Sequence, residues 1–190
     1  ARGKYLFYVG PDNILPEGVL ARLIDYLEKN NHVGVSAQTF IKNNNNSYLS
    51  YATYAMNLYK KARFYPGPRQ VIGTPHLFLA KVLKEHKFDD KMSWSDDSDL
   101  CFRLARLNYT FGIADTFVYE VGTENLRSLK RRWRGYGLSD FEYYRKYADS
   151  WGLKRKLISF SHPLSAEFLG PLSNKTLSFK EKIQIIPFLL

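Results

Sequence analysis

Cysteine and long apolar runs are both scarce in this 190-residue chain. The single cysteine, Cys101, excludes an internal disulfide and any metal site built from several cysteines. We expect it to be a small buried side chain in a reducing compartment, in place of a catalytic thiol. No apolar run reaches the roughly 18 to 20 residues that a membrane-spanning helix needs. Aromatic residues, by contrast, make up 16% of the chain, which is typical of a folded domain with a core.

Acidic residues are also few relative to basic ones. The chain has 28 basic and 18 acidic side chains, and residues 121–190 alone contain 13 basic and 6 acidic ones. An excess of positive charge attracts phosphates, anionic lipid head groups or nucleic acid. Composition does not choose among these anions, but no recognised nucleic-acid motif is present, so we expect no nucleic-acid partner.

Strand-like and helix-like segments alternate over the first 121 residues. The apolar run from Lys4 to Val9 predicts a buried strand, and Val33 to Ile41 predicts a second one. This alternation is typical of an α/β sheet. Later residues change to basic helices with interleaved aromatics. The sequence therefore predicts an α/β domain over residues 1–121 and an amphipathic, basic helical region over residues 122–190.

Asp12 lies in the turn that follows the first predicted strand. Open α/β sheets place ligands at the carboxyl ends of their strands. A carboxylate there could hold a divalent cation that bridges a diphosphate. The alternative is an aspartate that caps its own turn, as aspartates in turns often do.

Three carboxylates crowd into four residues at Asp96, Asp97 and Asp99. Like charges so close repel one another, so the cluster needs a physical reason. One reason is structural, because a helix N-terminus favours negative charge and Ser95 could cap it. The other is functional, with one carboxylate held as a general base near a metal-bound anionic substrate.

The segment from Leu126 to Gly137 has one apolar face with basic side chains around the rest. It is either an ordinary amphipathic helix packed on its domain or a helix that binds phosphate and the membrane interface. The apolar face consists of Leu126, Leu129, Trp133 and Tyr136.

These features occur in the order and spacing of family 2 glycosyltransferases, which have the GT-A fold. The segment from Ala1 to Asn13 resembles the family's a-x-G-x-y-l-x-f-l-D-a-D motif. The second acid of that motif, the usual metal ligand, falls on Asp12. The first acid falls on Gly10, which is a departure from the family pattern.

Two further segments carry the resemblance. Gly73 to Phe78 resembles the glycine-led strand that lines the sugar site, which implies that Gly73 and Thr74 bind substrate. The cluster and the residues after it resemble the family's E-D-x-D-L-c-x-R-L motif. This match implies that Asp97 is the general base and that Asp96 replaces the usual glutamate beside it. It also implies that Asp99 supports this loop and is one of the substrate-binding residues.

A weakened Q-R-x-R-W motif follows at Leu129 to Trp133, with leucine in place of the glutamine. In the family this motif lies on an interfacial helix near the donor diphosphate and the acceptor, which implies substrate-binding roles for Arg132 and Trp133. The family's N-terminal half, which holds the nucleotide, would precede Ala1. We therefore expect the chain to be one segment of a longer polypeptide, with an incomplete nucleotide pocket and little activity alone.

The resemblance implies a partial GT-A domain with a mixed sheet, acting as an inverting hexosyltransferase in polysaccharide or glycolipid biosynthesis. The implied donor is a nucleotide-diphosphate sugar, and the implied acceptor is a glycan or a lipid-linked hydroxyl or phosphate. The implied cofactor is Mg²⁺ or Mn²⁺ held by Asp12. The basic region adds an expected anionic membrane surface, at the cytoplasmic face of the cell membrane.

The rival interpretation is a non-catalytic membrane-interface or lipid-binding module whose acids only cap a helix. Such a module would bind anionic vesicles without needing Asp12 or Asp97.

Overall fold

A computed structural model describes most of the chain. The described residues are 2–42, 57–58, 60–62, 64–92, 95–121, 126–162, 164, 169–173, 175 and 177–189. The chain divides into two compact units, one of Ala1–Phe40 with Tyr65–Val121 and the other of Ile41–Phe64 with Gly122–Leu190. Residues 122–190, which the sequence predicts to be a basic helical region, fall in the second unit together with Ile41–Phe64.

The first unit is built on one sheet, which has six strands in the described residues. The strands are β1 (Tyr5–Tyr8), β2 (Asn13–Ile14), β3 (Gly34–Lys42), β4 (Gly67–Arg69), β5 (His76–Leu79) and β6 (Phe111–Val121). They lie in the order β1-β5-β3-β6-β2, and β4 also pairs with β6. The helices of this unit are α1 (Val19–Lys29), α2 (Ala80–His86) and α3 (Asp96–Ala105). The predicted α/β class is confirmed.

Strand register decides which chain segments meet at one edge of the sheet. β5 pairs antiparallel with both β1 and β3, with Tyr8 opposite His76 on one side and Ser36 opposite His76 on the other. The carboxyl ends of β1 and β3 therefore lie at the edge where β5 begins. β1 ends the strand order, so it is half-buried in place of the fully buried strand predicted, and Tyr8 is 53% exposed.

Apolar residues on both faces of the sheet form two cores, because successive strand residues point in opposite directions. Leu77 belongs to one core, where α1 contributes apolar side chains at helical spacing: Val19, Leu23 and Leu27. Phe78, its neighbour, belongs to the other core, where α3 contributes Leu100, Cys101 and Leu104. Each face of the sheet is thus covered by a helix that presents an apolar stripe.

Cys101 is fully buried in the second of these cores. Burial raises the pKa of its thiol to about 12, so the reactive thiolate is not populated near neutral pH. The prediction of a small, buried, unreactive side chain is confirmed.

From residue 126 on, the described part of the second unit is mostly helical. Its longer helices are α4 (Leu126–Tyr147), α5 (Leu153–His162) and α7 (Phe179–Leu189), with a 3₁₀ turn at Ala148–Ser150 and a short α6 (Gly170–Ser173). Trp151 joins α4 to α5, since its ring contacts those of Tyr143, Tyr144 and Tyr147, and the Arg155 guanidinium lies 4.7 Å from its ring centre. None of the described helices is both long and apolar enough to cross a membrane.

Candidate active site

Asp97 lies in the first turn of α3, and both of its carboxylate oxygens have defined surroundings. Oδ1 accepts a hydrogen bond of 2.6 Å from the backbone N–H of Ser98. Oδ2 lies 3.2 Å from the point that a Cβ atom on Gly73 would occupy. The absence of a side chain at Gly73 therefore leaves room for the carboxylate.

The surroundings of Asp97 change its acidity. Burial is the main cause, and it raises the pKa of this carboxyl from 3.8 to about 6. The hydrogen bond from Ser98 opposes the shift, and the negative charge of Asp96 adds to it. A carboxylate with a pKa near 6 is mostly ionised at neutral pH, yet it accepts a proton more readily than an ordinary aspartate.

The loop from Gly73 to Pro75 leads into β5 and faces Asp97. Ser36 on β3 holds it from beneath, because the Ser36 hydroxyl lies 2.9 Å from the Gly73 carbonyl oxygen and 2.8 Å from that of Pro75. Thr74, between these two residues, is exposed. Gly73 and Thr74 are thus adjacent to the candidate base, as a substrate-contacting loop would be.

His76 anchors the other end of this loop. Its ring stacks on those of Tyr8 and Phe88, with centroid separations of 5.3 and 5.8 Å. Burial lowers the pKa of His76 to about 4, so the imidazole is neutral under physiological conditions. It acts here as an aromatic side chain that fixes the start of β5.

Asp12 lies in a tight turn after β1. The Asn13 N–H donates to the Gly10 carbonyl at 3.1 Å, and the Gly10 N–H donates to the Asn13 side chain at 2.9 Å. The turn is therefore capped by Asn13, whereas the Asp12 carboxylate folds back over Gly10. Its Oδ1 lies 2.7 Å from the point that a Cβ on Gly10 would occupy, so an acid at position 10 would require Asp12 to take another rotamer.

The register of the sheet brings these two segments to the same edge. Asp12 follows Tyr8 by four residues, Tyr8 is opposite His76, and His76 follows Gly73 by three. Asp97 faces Gly73. The turn of Asp12 and the loop beside Asp97 therefore both lie at the edge where β1 ends and β5 begins.

A divalent cation would find a limited set of ligands here. In the described part of the chain, no three His, Cys, Asp or Glu side chains group closely enough to bind a metal ion. Mg²⁺ at phosphate-binding sites commonly needs only one or two carboxylates, with water and substrate phosphates completing its shell. The carboxylate of Asp12, at the strand edge, fits that smaller requirement.

Asp99 is placed to support the loop. Its side chain is completely buried, and its Oδ2 accepts a 2.8 Å hydrogen bond from Arg103 Nε one turn later on α3. Arg103 also donates to the carbonyls of His86 and Lys87, both at 2.7 Å, at the end of α2. Asp99 and Arg103 thus fasten the start of α3 to the end of α2.

The remaining predicted residues have different outcomes. Asp96 is half-buried in the first turn of α3, beside Asp97, and the side chain of Ser95 makes no cap hydrogen bond there. Arg132 and Trp133 lie within α4, but their side chains are outside the described part of the structure, so their roles stay predictions. Arg103 and Ser36 were not predicted as site residues. The arginine of the E-D-x-D-L-c-x-R-L motif falls on Arg103, and its i, i+4 spacing from Asp99 also indicated a pair, whereas nothing in the sequence indicated Ser36.

Comparison with known proteins agrees with this arrangement. The family described as "Glycosyl transferase family group 2" matches residues 7–189. The chain is also 24% identical, over 127 residues, to the uncharacterized glycosyltransferase MJ1057 of Methanocaldococcus jannaschii. That similarity covers 66% of this chain and 44% of the relative, so the chain spans less than half of the relative's length. The sheet with its helices is consistent with a GT-A-like nucleotide-sugar transferase domain, and the chain belongs to glycosyl transferase family group 2.

Proposed function

We propose that this chain forms the acceptor-side part of an enzyme that transfers a sugar from a nucleotide-diphosphate donor to a hydroxyl or lipid-phosphate acceptor, with inversion. One observation carries the proposal. Asp97 is half-buried, burial raises the pKa of its carboxyl to about 6, and one of its oxygens faces the unfilled position beside Gly73. Family membership supports this interpretation of the carboxylate as a base.

Asp97 performs the proton transfer in this mechanism. It takes the proton of the acceptor hydroxyl while the acceptor oxygen forms a bond to the anomeric carbon of the sugar. The bond between that carbon and the diphosphate oxygen breaks on the opposite face, which inverts the configuration. The nucleoside diphosphate leaves with the bonding electron pair.

Asp12 is the residue that would hold Mg²⁺ or Mn²⁺, and the cation would neutralise charge on the departing diphosphate. Its position at the end of β1 supports this role, since open α/β sheets bind ligands beyond the carboxyl ends of their strands. Asp12 holds its own backbone in place through the Val121 N–H, which donates to the Asp12 carbonyl at 2.8 Å.

Asp12→Asn in the full-length protein tests the metal role. We expect the Kd of a nucleoside diphosphate, measured by calorimetry with Mg²⁺ or Mn²⁺, to rise about tenfold or more. In EDTA the variant and the wild type are expected to bind alike, because no cation is present. UDP, GDP and dTDP serve as probes, since the nucleotide is not identified.

Asp115→Asn is the matched control for that experiment, because Asp115 is an exposed carboxylate on β6 of the same unit. Its binding should equal that of the wild type in either buffer. A metal-dependent affinity that is unchanged in Asp12→Asn would exclude Asp12 as the ligand.

An apolar surface on the second unit supports a membrane location for this activity. On and just after α5, apolar side chains recur every three or four residues and are strongly exposed: Leu153 by 74%, Leu157 by 60%, Phe160 by 89% and Leu164 by 62%. This spacing puts Leu153, Leu157 and Phe160 on one face of α5. Exposing such an apolar face to water costs free energy, and this cost is removed when another apolar phase covers the face.

We propose that an anionic bilayer covers this face. Lys154 and Arg155 are exposed on the same helix, and the segment 121–190 has a net charge of +7. Basic residues next to an apolar face are typical of helices that lie in the plane of a membrane interface. The cytoplasmic leaflet, which is rich in anionic lipid, matches this charge.

Liposome co-sedimentation tests the membrane proposal. We expect binding to vesicles that contain phosphatidylglycerol, weaker binding in high salt, and little binding to phosphatidylcholine alone. Changing Leu157 and Phe160 to Ala should weaken the partition about tenfold or more, because each loses buried apolar area.

Leu107→Ala provides a control, since Leu107 is a comparably exposed leucine, by 54%, in the first unit. It should leave the partition unchanged. Equal binding to neutral and anionic vesicles, or binding to neither, would contradict electrostatic docking but not sugar transfer.

A further inference from the structure

Ser36 has a polar side chain in an otherwise apolar position. It lies on β3, it is only 4% exposed, and it is opposite His76 in the register of the sheet. A buried hydroxyl costs free energy unless it is hydrogen-bonded. The hydrogen bonds of the Ser36 hydroxyl therefore indicate its structural role.

The Ser36 hydroxyl is shared by the loop that enters β5. Oγ lies 2.9 Å from the Gly73 carbonyl oxygen and 2.8 Å from the Pro75 carbonyl oxygen, and the Ala37 carbonyl is farther away at 3.2 Å. One hydroxyl proton thus serves two carbonyls on either side of Thr74.

The same loop forms one wall around Asp97. The point that a Cβ on Gly73 would occupy is 3.2 Å from Asp97 Oδ2, so the backbone of the loop borders the carboxylate, and a shift of the loop would change the space around it. His76 already fixes the far end of the loop by stacking on Tyr8. Ser36 is the side chain that fixes the near end.

We propose that Ser36 is a positioning residue for the base, which holds Gly73 against Asp97 by bridging the Gly73 and Pro75 carbonyls. The inference rests on the proposed function, because it assigns Ser36 a role in the proton transfer by Asp97. Ser36 itself touches neither substrate nor the transferred proton.

Ser36→Ala in the full-length enzyme tests this role. We expect kcat to fall roughly 10- to 100-fold, because small displacements of a catalytic group cost that much, while KM for the donor stays within about twofold. The pH profile should change as well. Asp96 and Cys101 are the other titratable groups that interact with Asp97, and Ser36→Ala alters neither of them. A looser loop admits water to Asp97, so the acid limb should move to lower pH.

Two variants separate positioning from stability. Ser36→Thr retains the hydroxyl and should restore most of kcat and the wild-type acid limb. Thr116→Val removes another buried hydroxyl from the same sheet, and Thr116 is 5% exposed, so this variant should keep wild-type kinetics. If Ser36→Ala behaves like Thr116→Val, the positioning role is overturned.

Asp97→Asn distinguishes a failure of the positioning role of Ser36 from a failure of the base assignment of Asp97. An inactive Asp97→Asn with an unaffected Ser36→Ala overturns only the role of Ser36. A fully active Asp97→Asn overturns the base assignment and the positioning role with it.

Discussion

Asp97→Asn is expected to lower turnover roughly 10²- to 10⁴-fold, because the variant keeps the size of the side chain but removes the base. Donor binding should change little, since the diphosphate and cation contacts do not involve Asp97. Steady-state transfer with saturating donor and acceptor measures the first expectation. Calorimetry with a nucleoside diphosphate measures the second.

The pH dependence of the wild type gives an independent check. Because the pKa of Asp97 is raised to about 6, the base is protonated and idle below that pH. Activity should therefore rise through pH 6 and level off above it, and the residual activity of Asp97→Asn should lack this step. An ordinary exposed aspartate would place the step near pH 4.

Loss of activity in Asp97→Asn should not result from unfolding. A carboxyl whose pKa is higher in the folded than in the unfolded state stabilises the fold when protonated, and this contribution is lost as the pH rises from 3.8 through 6. The shift of the pKa from 3.8 to about 6 means that the ionised carboxylate lowers the free energy of unfolding by about 3 kcal/mol at neutral pH, relative to the protonated form. Asparagine avoids the burial of a charge, so the variant should be at least as stable as the wild type at pH 7 to 8.

Asp96→Asn is the neighbouring control. Asp96 is half-buried and contributes to the raised pKa of Asp97 only as a nearby charge. Its removal should shift the acid limb slightly towards lower pH and leave most of the turnover. Undiminished turnover in Asp97→Asn would instead exclude Asp97 as the general base.

Local sequence patterns predicted the parts of the fold that local physics controls. The apolar runs around Tyr5–Tyr8 and Gly34–Lys42 became strands because their side chains pack in the two cores. The acids of the Asp96–Asp99 cluster begin a helix, where the dipole favours them. The predicted position of the cluster at a helix N-terminus is therefore confirmed, but the predicted cap is wrong, because the Ser95 side chain makes no cap hydrogen bond. The partial burial of Asp97 supports the functional interpretation beside it.

Contacts between segments that are distant in the chain could not be predicted from the sequence patterns. Ser36 and Gly73 are 37 residues apart, and no periodicity relates them, since the pairing of β3 with β5 brings them together. The grouping of Ile41–Phe64 with the second unit was missed for a similar reason. The change in charge near residue 121 marks a boundary, but it carries no information about an earlier segment.

Arg103→Ala is expected to lower the free energy of unfolding by about 1.5 to 3 kcal/mol, the range for hydrogen bonds to a charged group, because the Arg103 side chain is 30% exposed and water can replace part of its contacts. The carboxylate of Asp99 is fully buried and would lose a charged partner at 2.8 Å. The carbonyls of His86 and Lys87 would each lose a donor. Urea unfolding, followed by tryptophan fluorescence and circular dichroism, measures the change.

Lys29→Ala is the matched control, because Lys29 and Asp25 also form an i, i+4 pair, at 2.9 Å, but both side chains are more than half exposed. Exposed pairs contribute at most about 0.5 kcal/mol, since water screens them. Arg103→Lys separates charge from shape. Lysine keeps the positive charge but lacks the planar fork that reaches Asp99 and two carbonyls together, so it should recover only part of the loss.

The double variant Asp99→Leu with Arg103→Leu completes the argument, because it removes the charge and its partner together. If the cost of Arg103→Ala comes from a buried carboxylate that has lost its charged partner, the double variant should be more stable than Arg103→Ala. Its activity should nevertheless stay low, because the first turn of α3 would no longer be fastened to the end of α2 beside Asp97. A loss in Arg103→Ala no larger than that in Lys29→Ala would show that α3 is held in place by its apolar core alone.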